Sequence, residues 1–144
     1  MILQTIIFFS SLFCIMQPTN VQPTLKVEIS GLKNNKGFVL IAVFNSALGF
    51  PAKKELAVKK IRIPAQTGSF TYEVNDLVPG TYALALIHDE NDNQRMDTGL
   101  FGIPKEGFCF SRGAMGTFGP PSFQAASFVH KAPNSIQNLQ VKYW

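Results

Sequence analysis

A short polar segment with the residue types and spacing of a calcium loop follows one of the alternating hydrophobic runs of this chain. Asp89, Asn91, Asn93 and Asp97 occupy positions 1, 3, 5 and 9 of that spacing. Alternate residues of a tight loop can direct several oxygen atoms at one hard cation, which is the coordination that calcium requires. We therefore predict a calcium-type site formed by these side chains and by the backbone carbonyl of Arg95.

The segment departs from an EF-hand at two positions. Position 6 is Gln94 instead of the glycine that permits a sharp turn, and position 12 is Leu100 instead of a bidentate glutamate. Glu106 lies further along the chain, and a folded-back loop would bring it to the ion as the missing carboxylate. The predicted metal ligands therefore include Glu106, and the ion is expected to be structural.

A second interpretation needs no ion. Asp and Asn side chains accept hydrogen bonds from nearby backbone N–H groups, so the same composition can brace a long connection. Four acids, Asp89, Glu90, Asp92 and Asp97, are opposed only by Arg95 in this segment. Close carboxylates repel one another unless a cation or solvent relieves them. Both interpretations stay open at this point.

Catalysis is the weaker alternative. A metal-dependent hydrolase would use His88, Asp89 and Glu106, with His130 as a further ligand. The two histidines lack the close spacings of zinc motifs, and the chain has neither a nucleophile elbow nor a phosphate-binding glycine loop. Cys109 lies between two phenylalanines, which predicts a buried and unreactive thiol.

Short segments of strand-like pattern must position this loop. They share alternating or continuous hydrophobicity between turns rich in Gly, Pro and Asn, and they cover residues 25–29, 38–44, 59–63, 70–74, 81–86 and 135–143. About seven short strands separated by such turns predict an all-β, antiparallel β-sandwich of the immunoglobulin-like or transthyretin-like kind.

A long connection rich in Gly and Pro, residues 88–122, interrupts the strand pattern. Loops of this length inside a compact domain are often functional, so we predict an acidic lid over the sandwich. Five aromatic residues are expected to pack the lid down: Phe101, Phe108, Phe110, Phe118 and Phe123. Exposure of Phe101 or Phe118 would instead indicate a platform for a carbohydrate or a peptide.

Length and charge favour one domain without a nucleic-acid partner. The chain has 144 residues, 46% of them hydrophobic, and a formal charge of +4. Basic residues group at Lys59-Lys60-Ile61-Arg62. A lysine-rich edge strand that discourages sheet-to-sheet pairing explains this grouping, since no recognition helix accompanies it.

The N-terminus has the pattern of a targeting segment. Residues 2–15 are mainly apolar and no charged residue precedes Lys26, which predicts a signal peptide over residues 1–20, a spacer over 21–24 and the sandwich over 25–144. The expected location is extracytoplasmic: periplasmic, cell-envelope or secreted. Lipidation at Cys14 is the alternative. No later stretch is long and apolar enough to be expected to span a membrane.

Several motifs resemble those of one family. The turn Leu77-Val78-Pro79-Gly80-Thr81-Tyr82 is similar to a hairpin of transthyretin-like and Cna-B-like sandwich modules. Together with Asp97 and four further motifs, the turn resembles the bacterial exported domain-of-unknown-function family two-one-four-one over residues 25–143. These motifs are His88-Asp89-Glu90-Asn91, Gly102-Ile103-Pro104-Lys105-Glu106-Gly107, Phe110-Ser111 and Pro120-Pro121-Ser122-Phe123.

This resemblance implies an exported immunoglobulin-like sandwich and no particular activity. The chain has Gln94 where family members usually have glycine, and it differs from them around Cys109 and Arg112, so the local loop geometry is expected to differ. The function expected from the sequence is a non-enzymatic binding or accessory module of the bacterial cell envelope, with an unidentified ligand or envelope partner.

Overall fold

The structure is a computed structural model that describes residues 23–144. The predicted signal peptide and the alternative lipidation site, Cys14, lie outside the described residues. The described part contains eight strands, one short α-helix, α1 (Phe123–Ala126), and three single-turn 3-10 helices at Lys54–Leu56, Leu100–Gly102 and Ser111–Gly113. The strands are β1 (Thr24–Ser30), β2 (Phe38–Phe44), β3 (Lys59–Pro64), β4 (Phe70–Val74), β5 (Gly80–Asp89), β6 (Gly107–Phe110), β7 (Phe128–His130) and β8 (Asn134–Gln140).

The strands form two sheets. The small sheet has the order β4-β1-β8, and the large sheet has the order β3-β2-β5-β6, with β7 paired to the start of β5. Every pair is antiparallel except β1 with β8, which run parallel from Thr24 opposite Asn134 to Ser30 opposite Gln140. The predicted β-sandwich is confirmed, and the parallel pair is a feature that the hydrophobic pattern does not reveal.

Alternation along the strands builds the core between the two sheets. In β2, Val39, Ile41 and Val43 are at most 2% exposed, and they pack in one cluster with Leu25 and Val27 of β1. Successive side chains of a strand point to opposite faces, so the residues between them lie on the other side of the large sheet. We call the core side of the large sheet its inner face and the other side its outer face.

The start of β5 is fixed by the turn that precedes it. The Tyr82 hydroxyl donates a hydrogen bond of 2.9 Å to the backbone oxygen of Val78, four residues earlier. His130 Nε2 lies 3.0 Å from the backbone oxygen of Leu77 and its ring packs edge-on against Tyr82. A tyrosine that bonds back to the preceding turn is a recurrent brace of immunoglobulin-like sandwiches.

A second hydrophobic cluster covers part of the outer face. Phe50 lies at its centre, edge-on to Phe44, Phe110 and Phe123 at centroid distances of 5.4 to 6.0 Å. Edge-to-face packing of this kind adds roughly 1 kcal/mol per pair to the free energy of apolar burial. This cluster holds residues 111–126 against the sheet.

The long connection after β5 contains more regular structure than its sequence predicts. Its residues 107–110 form β6, which pairs with β5 and extends the large sheet. Gly107 pairs with His88 in this strand, and the position needs a glycine because a Cβ atom there would lie 2.4 Å from the ring of Tyr143. The connection therefore consists of two loops, residues 90–106 and residues 111–122, on either side of a strand. No helix in the described part of the chain is long and apolar enough to cross a membrane.

Candidate functional site

The acidic loop begins at the last residue of β5. Asp89 is fully buried, and its two carboxylate oxygens accept hydrogen bonds from the backbone N–H groups of Asn93, at 3.1 Å, and Gln94, at 2.7 Å. A carboxylate that accepts two backbone N–H groups replaces the hydrogen bonds that this tight turn cannot form within itself. Asp89 therefore holds the first half of the loop closed.

The sharp turn forms without a glycine. Gln94 adopts φ 60° and Asp92 adopts φ 58°, both in the left-handed region that favours glycine. Asn91 Oδ1 accepts from the N–H of Asn93 at 3.2 Å, and Asn93 Oδ1 accepts from the N–H of Arg95 at 3.1 Å. These side-chain turns compensate for the strain of roughly 1 kcal/mol that a left-handed non-glycine residue carries.

Asp97 accepts hydrogen bonds from the side-chain amides of Asn91 and Asn93. Asn91 Nδ2 donates to one oxygen of Asp97 at 2.7 Å, and Asn93 Nδ2 donates to the other at 2.8 Å. The hydrogen bonds from Asn93 and then Asn91 lower the pKa of the Asp97 carboxyl below its ordinary value, because they stabilise its ionised form.

Glu106 joins the two ends of the loop. Its side chain is buried, with Oε1 accepting from the N–H of Glu90 at 3.1 Å and Oε2 accepting from the N–H of Asp97 at 3.0 Å. The N–H of Lys105 also donates to the backbone oxygen of Asp97 at 2.8 Å. The connection thus folds back and places Glu106 against the acidic loop, where the carboxylate binds backbone N–H groups.

Charged neighbours tie the acidic loop to the rest of the sandwich on one side. Lys33 Nζ lies 2.7 Å from Glu90 Oε1, and Asn34 Nδ2 donates to Glu90 Oε2 at 2.9 Å. Burial raises the pKa of Glu90, but the bonds from Asn34 and Lys33 outweigh it, so this pKa lies below its ordinary value. The hydrogen bond to Glu90 raises the pKa of Lys33.

On the other side the loop is tied to the edge of the large sheet. Arg62 of β3 forms a salt bridge of 2.7 Å with Asp92, and its guanidinium lies 3.2 Å above the ring centre of Phe38. Lys54 donates to the backbone oxygen of Gln94. Because four of the loop's acids are engaged by N–H groups or by basic residues, their mutual repulsion is relieved within the protein.

The histidine predicted for a catalytic metal is separated from the neighbouring carboxylate. His88 and Asp89 are adjacent in β5 and point to opposite faces of the sheet. His88 Nδ1 lies 2.6 Å from the Tyr143 hydroxyl and Nε2 lies 2.8 Å from the backbone oxygen of Lys36, so both ring nitrogens have partners. Within residues 23–144, no group of three or more His, Cys, Asp or Glu side chains is arranged to hold a metal ion.

His130 and Cys109 are core residues. His130 is fully buried and pairs through Nδ1 with the Ser135 hydroxyl at 3.0 Å. Cys109 is 4% exposed, and burial raises the pKa of its thiol to about 12. The predicted burial of Cys109 is confirmed.

The outer face carries a feature that the sequence pattern did not predict. The strand register aligns side chains of four strands in two rows that cross the large sheet. One row is Lys60, Ala42, Ala85 and Phe110. The other row is Arg62, Leu40, Ile87 and Phe108. Each row begins with a basic residue on β3, continues with aliphatic residues and ends with a phenylalanine on β6.

A cleft of about 1130 Å³ lies over these rows. Parts of both loops form its walls, and Trp144 lies at one side. The ring of Phe101 is 98% exposed and that of Phe118 is 103% exposed. The prediction that these two rings pack the lid down is therefore wrong, whereas Phe108 and Phe110 are buried as predicted and Phe123 is partly buried. Phe101 adopts φ 58°, in the left-handed region that favours glycine.

Comparison with known proteins gives a family. A sequence model of the family described as "Uncharacterized protein conserved in bacteria (DUF2141)" matches residues 27–137, from β1 into β8. The chain belongs to this family. Neither the curated proteins nor the solved structures contain a match to the chain.

The DUF2141 match covers both components of the site. It includes the acidic loop, all four strands under the cleft and both loops that form its walls. Trp144, at the side of the cleft, lies beyond the matched residues. The resemblance inferred from the sequence motifs is confirmed, and the match covers all or part of every strand of the two-sheet sandwich.

Proposed function

We propose that this DUF2141 chain is an exported, non-enzymatic binding module of the bacterial cell envelope, and that its ligand site is the cleft on the outer face. The observation that carries the proposal is the apolar floor beneath exposed aromatic rings. Leu40 and Ala42 line this floor, while Phe101 and Phe118 stand almost fully exposed above it. Concave, mainly apolar surfaces of this kind are the usual form of ligand sites.

The support for the floor is rigid. Ala42 and Ala85 lie opposite each other on the two central strands of the large sheet, whose inner faces are part of the main core. The walls are held by the acidic loop on one side and by the aromatic cluster around Phe50 on the other. A pre-formed site loses little conformational entropy when its ligand binds.

Export is supported by the apolar stretch at residues 2–15. Cell fractionation of a bacterium that expresses the full chain tests it. We expect the protein in the periplasmic, envelope or secreted fraction, with its N-terminal residues removed. Recovery of the intact chain in the cytoplasm would refute this part of the proposal.

Binding is tested with a neutral apolar fluorophore, N-phenyl-1-naphthylamine, whose emission rises in an apolar site. Trp144 is the only tryptophan of the chain and lines the cleft, so its emission should shift when the dye binds. Ala42→Phe fills the floor and should abolish dye binding. Thr71→Phe, on the exposed face of β4, is the matched control and should leave it unchanged. Equal dye binding by both variants would refute the cleft as the site.

We also propose that the acidic loop binds a structural calcium ion through Asp89, Asn91, Asn93, Asp97 and the backbone carbonyl of Arg95, with Glu106 as a nearby carboxylate. The left-handed turn at Gln94 supports this proposal, because that conformation is the one for which calcium loops use glycine. The oxygens that accept one hydrogen bond each retain further lone pairs for a cation.

Hydrogen bonds within the loop compete with an ion for the same oxygen atoms. Both asparagine amides donate to Asp97, and no buried side-chain nitrogen or oxygen of the described residues lacks a partner. Thermal unfolding in calcium and in excess chelator separates the two states. An ion should raise the melting temperature, and Asp97→Ala should abolish the increase. Identical melting in calcium and chelator would mean that hydrogen bonds alone brace the loop.

A further inference from the structure

The chemistry of the cleft floor restricts its ligand. Leu40, Ala42, Ala85 and Ile87 carry no side-chain hydrogen-bonding atom, and the backbone groups of their strands are paired within the sheet. A sugar placed on this floor would lose its hydrogen bonds to water without replacement, which is unfavourable. A hydrocarbon chain gains roughly fourfold in affinity for each methylene that it buries.

Charge is distributed unevenly around the cleft. The residues that line the cleft include one acid, Glu55, and four basic residues: Lys54, Lys60, Arg62 and Arg95. Arg62 is neutralised by Asp92, and Lys54 is engaged by a backbone oxygen. Lys60 forms no salt bridge with any residue in the 23–144 range. The β3 side of the cleft therefore presents at least one ammonium group to an anion.

The width of the floor indicates how long a ligand chain that crosses it can be. From Lys60 on β3 to Phe110 on β6 the row crosses three strand spacings, or roughly 14 Å. An extended chain of tetrahedral atoms advances about 1.2 Å per bond, as the extended peptide backbone does, so a chain of about twelve carbons spans this distance.

We infer that the ligand is a single-chain anionic amphiphile of the medium-chain fatty-acid class. Its carboxylate pairs with Lys60 at the β3 edge, and its hydrocarbon chain crosses the aliphatic residues toward Phe110 on β6. This inference rests on the proposed binding function of the cleft. It adds the chemical class of the ligand and its orientation across the sheet.

The test uses three twelve-carbon amphiphiles below their micelle concentrations: dodecanoate, dodecanol and dodecyltrimethylammonium. Each is titrated against the protein as isolated, with Trp144 emission and displacement of N-phenyl-1-naphthylamine as two readouts. We expect dodecanoate to bind most tightly and the cation most weakly. Affinity within a series of shorter carboxylates should rise with chain length and level off near twelve carbons.

The charge variants identify the head-group site. Lys60→Glu replaces attraction by repulsion and should weaken dodecanoate binding roughly tenfold while leaving the neutral dye unaffected. Lys131→Glu makes the same charge change at an exposed position outside the cleft and should have no effect.

The outcomes separate the two proposals. If the dye binds but the three amphiphiles bind equally, or if Lys60→Glu does not change dodecanoate binding, the ligand class is wrong and the binding function stands. If neither the dye nor any amphiphile binds, both proposals are wrong. If the protein dimerises through the cleft and the dye dissociates the dimer, the occupant is a second copy of the chain and the fatty-acid inference is overturned.

Discussion

Glu106→Ala should destabilise the fold because this side chain closes the acidic loop. Its buried carboxylate accepts from the N–H of Glu90 at 3.1 Å and from the N–H of Asp97 at 3.0 Å. A hydrogen bond to a charged group contributes about 1.5–3 kcal/mol to stability. Loss of both bonds should therefore lower the free energy of unfolding by at least roughly 3 kcal/mol. For a domain of this size that corresponds to a fall in melting temperature of about 12 °C.

Urea unfolding followed by circular dichroism measures the free energy, and amide hydrogen exchange measures the two N–H groups directly. Both amides should exchange much faster in the variant. Glu73→Gln is the control, since Glu73 lies on the surface of β4 with its carboxylate 3.5 Å from Lys26. Such an exposed pair contributes at most about 1 kcal/mol. If Glu106→Ala were no more destabilising than Glu73→Gln, the carboxylate would not be closing the loop.

Three further predictions follow from other contacts. Hydrogen bonds from Asn93 and Asn91 hold the pKa of Asp97 below its ordinary value of 3.8. The stability that this carboxylate contributes is therefore complete above pH 3.8 and is lost as the pH falls through the lowered pKa. Asp97→Asn should flatten the acid limb of a curve of stability against pH. Cys109, with its pKa near 12, should resist alkylation at pH 8 until urea unfolds the protein, as peptide mapping would show; rapid labelling of the native state would contradict its burial. Phe101→Ser should change the free energy of unfolding by less than about 0.5 kcal/mol, because the residue is 98% exposed. The same variant should weaken dye binding in the cleft. A large loss of stability would show that the ring is packed.

Strands with a clear period were predictable from the sequence. The predicted bounds of β2 and β4 agree with the structure, because an uninterrupted apolar run and a strict alternation are strong signals. The strand β6 was missed, since four residues are too few to show a period. A glycine at position 107 is typical of a loop, yet it belongs to β6. The ring of Tyr143 lies where a Cβ atom would be, so only a glycine fits there.

The two parts of the site differ in how far the sequence predicts them. The acidic loop is local, and its Asp and Asn residues bond within the segment itself, so composition and spacing identify it. The cleft depends on the register of four strands and on rings such as Phe101 that face solvent. Neither property is encoded in a local pattern, because register is a relation between distant segments.

The parallel pairing of β1 with β8 makes the small sheet depend on two segments that are synthesised far apart in time. Thr24 lies opposite Asn134, so β1 has its second neighbour only when residues 134–140 have been synthesised. Until then the small sheet consists of β1 and β4 alone, and a two-stranded sheet is marginally stable. The sandwich of a growing chain therefore stays incomplete until β8 is available to pair with β1.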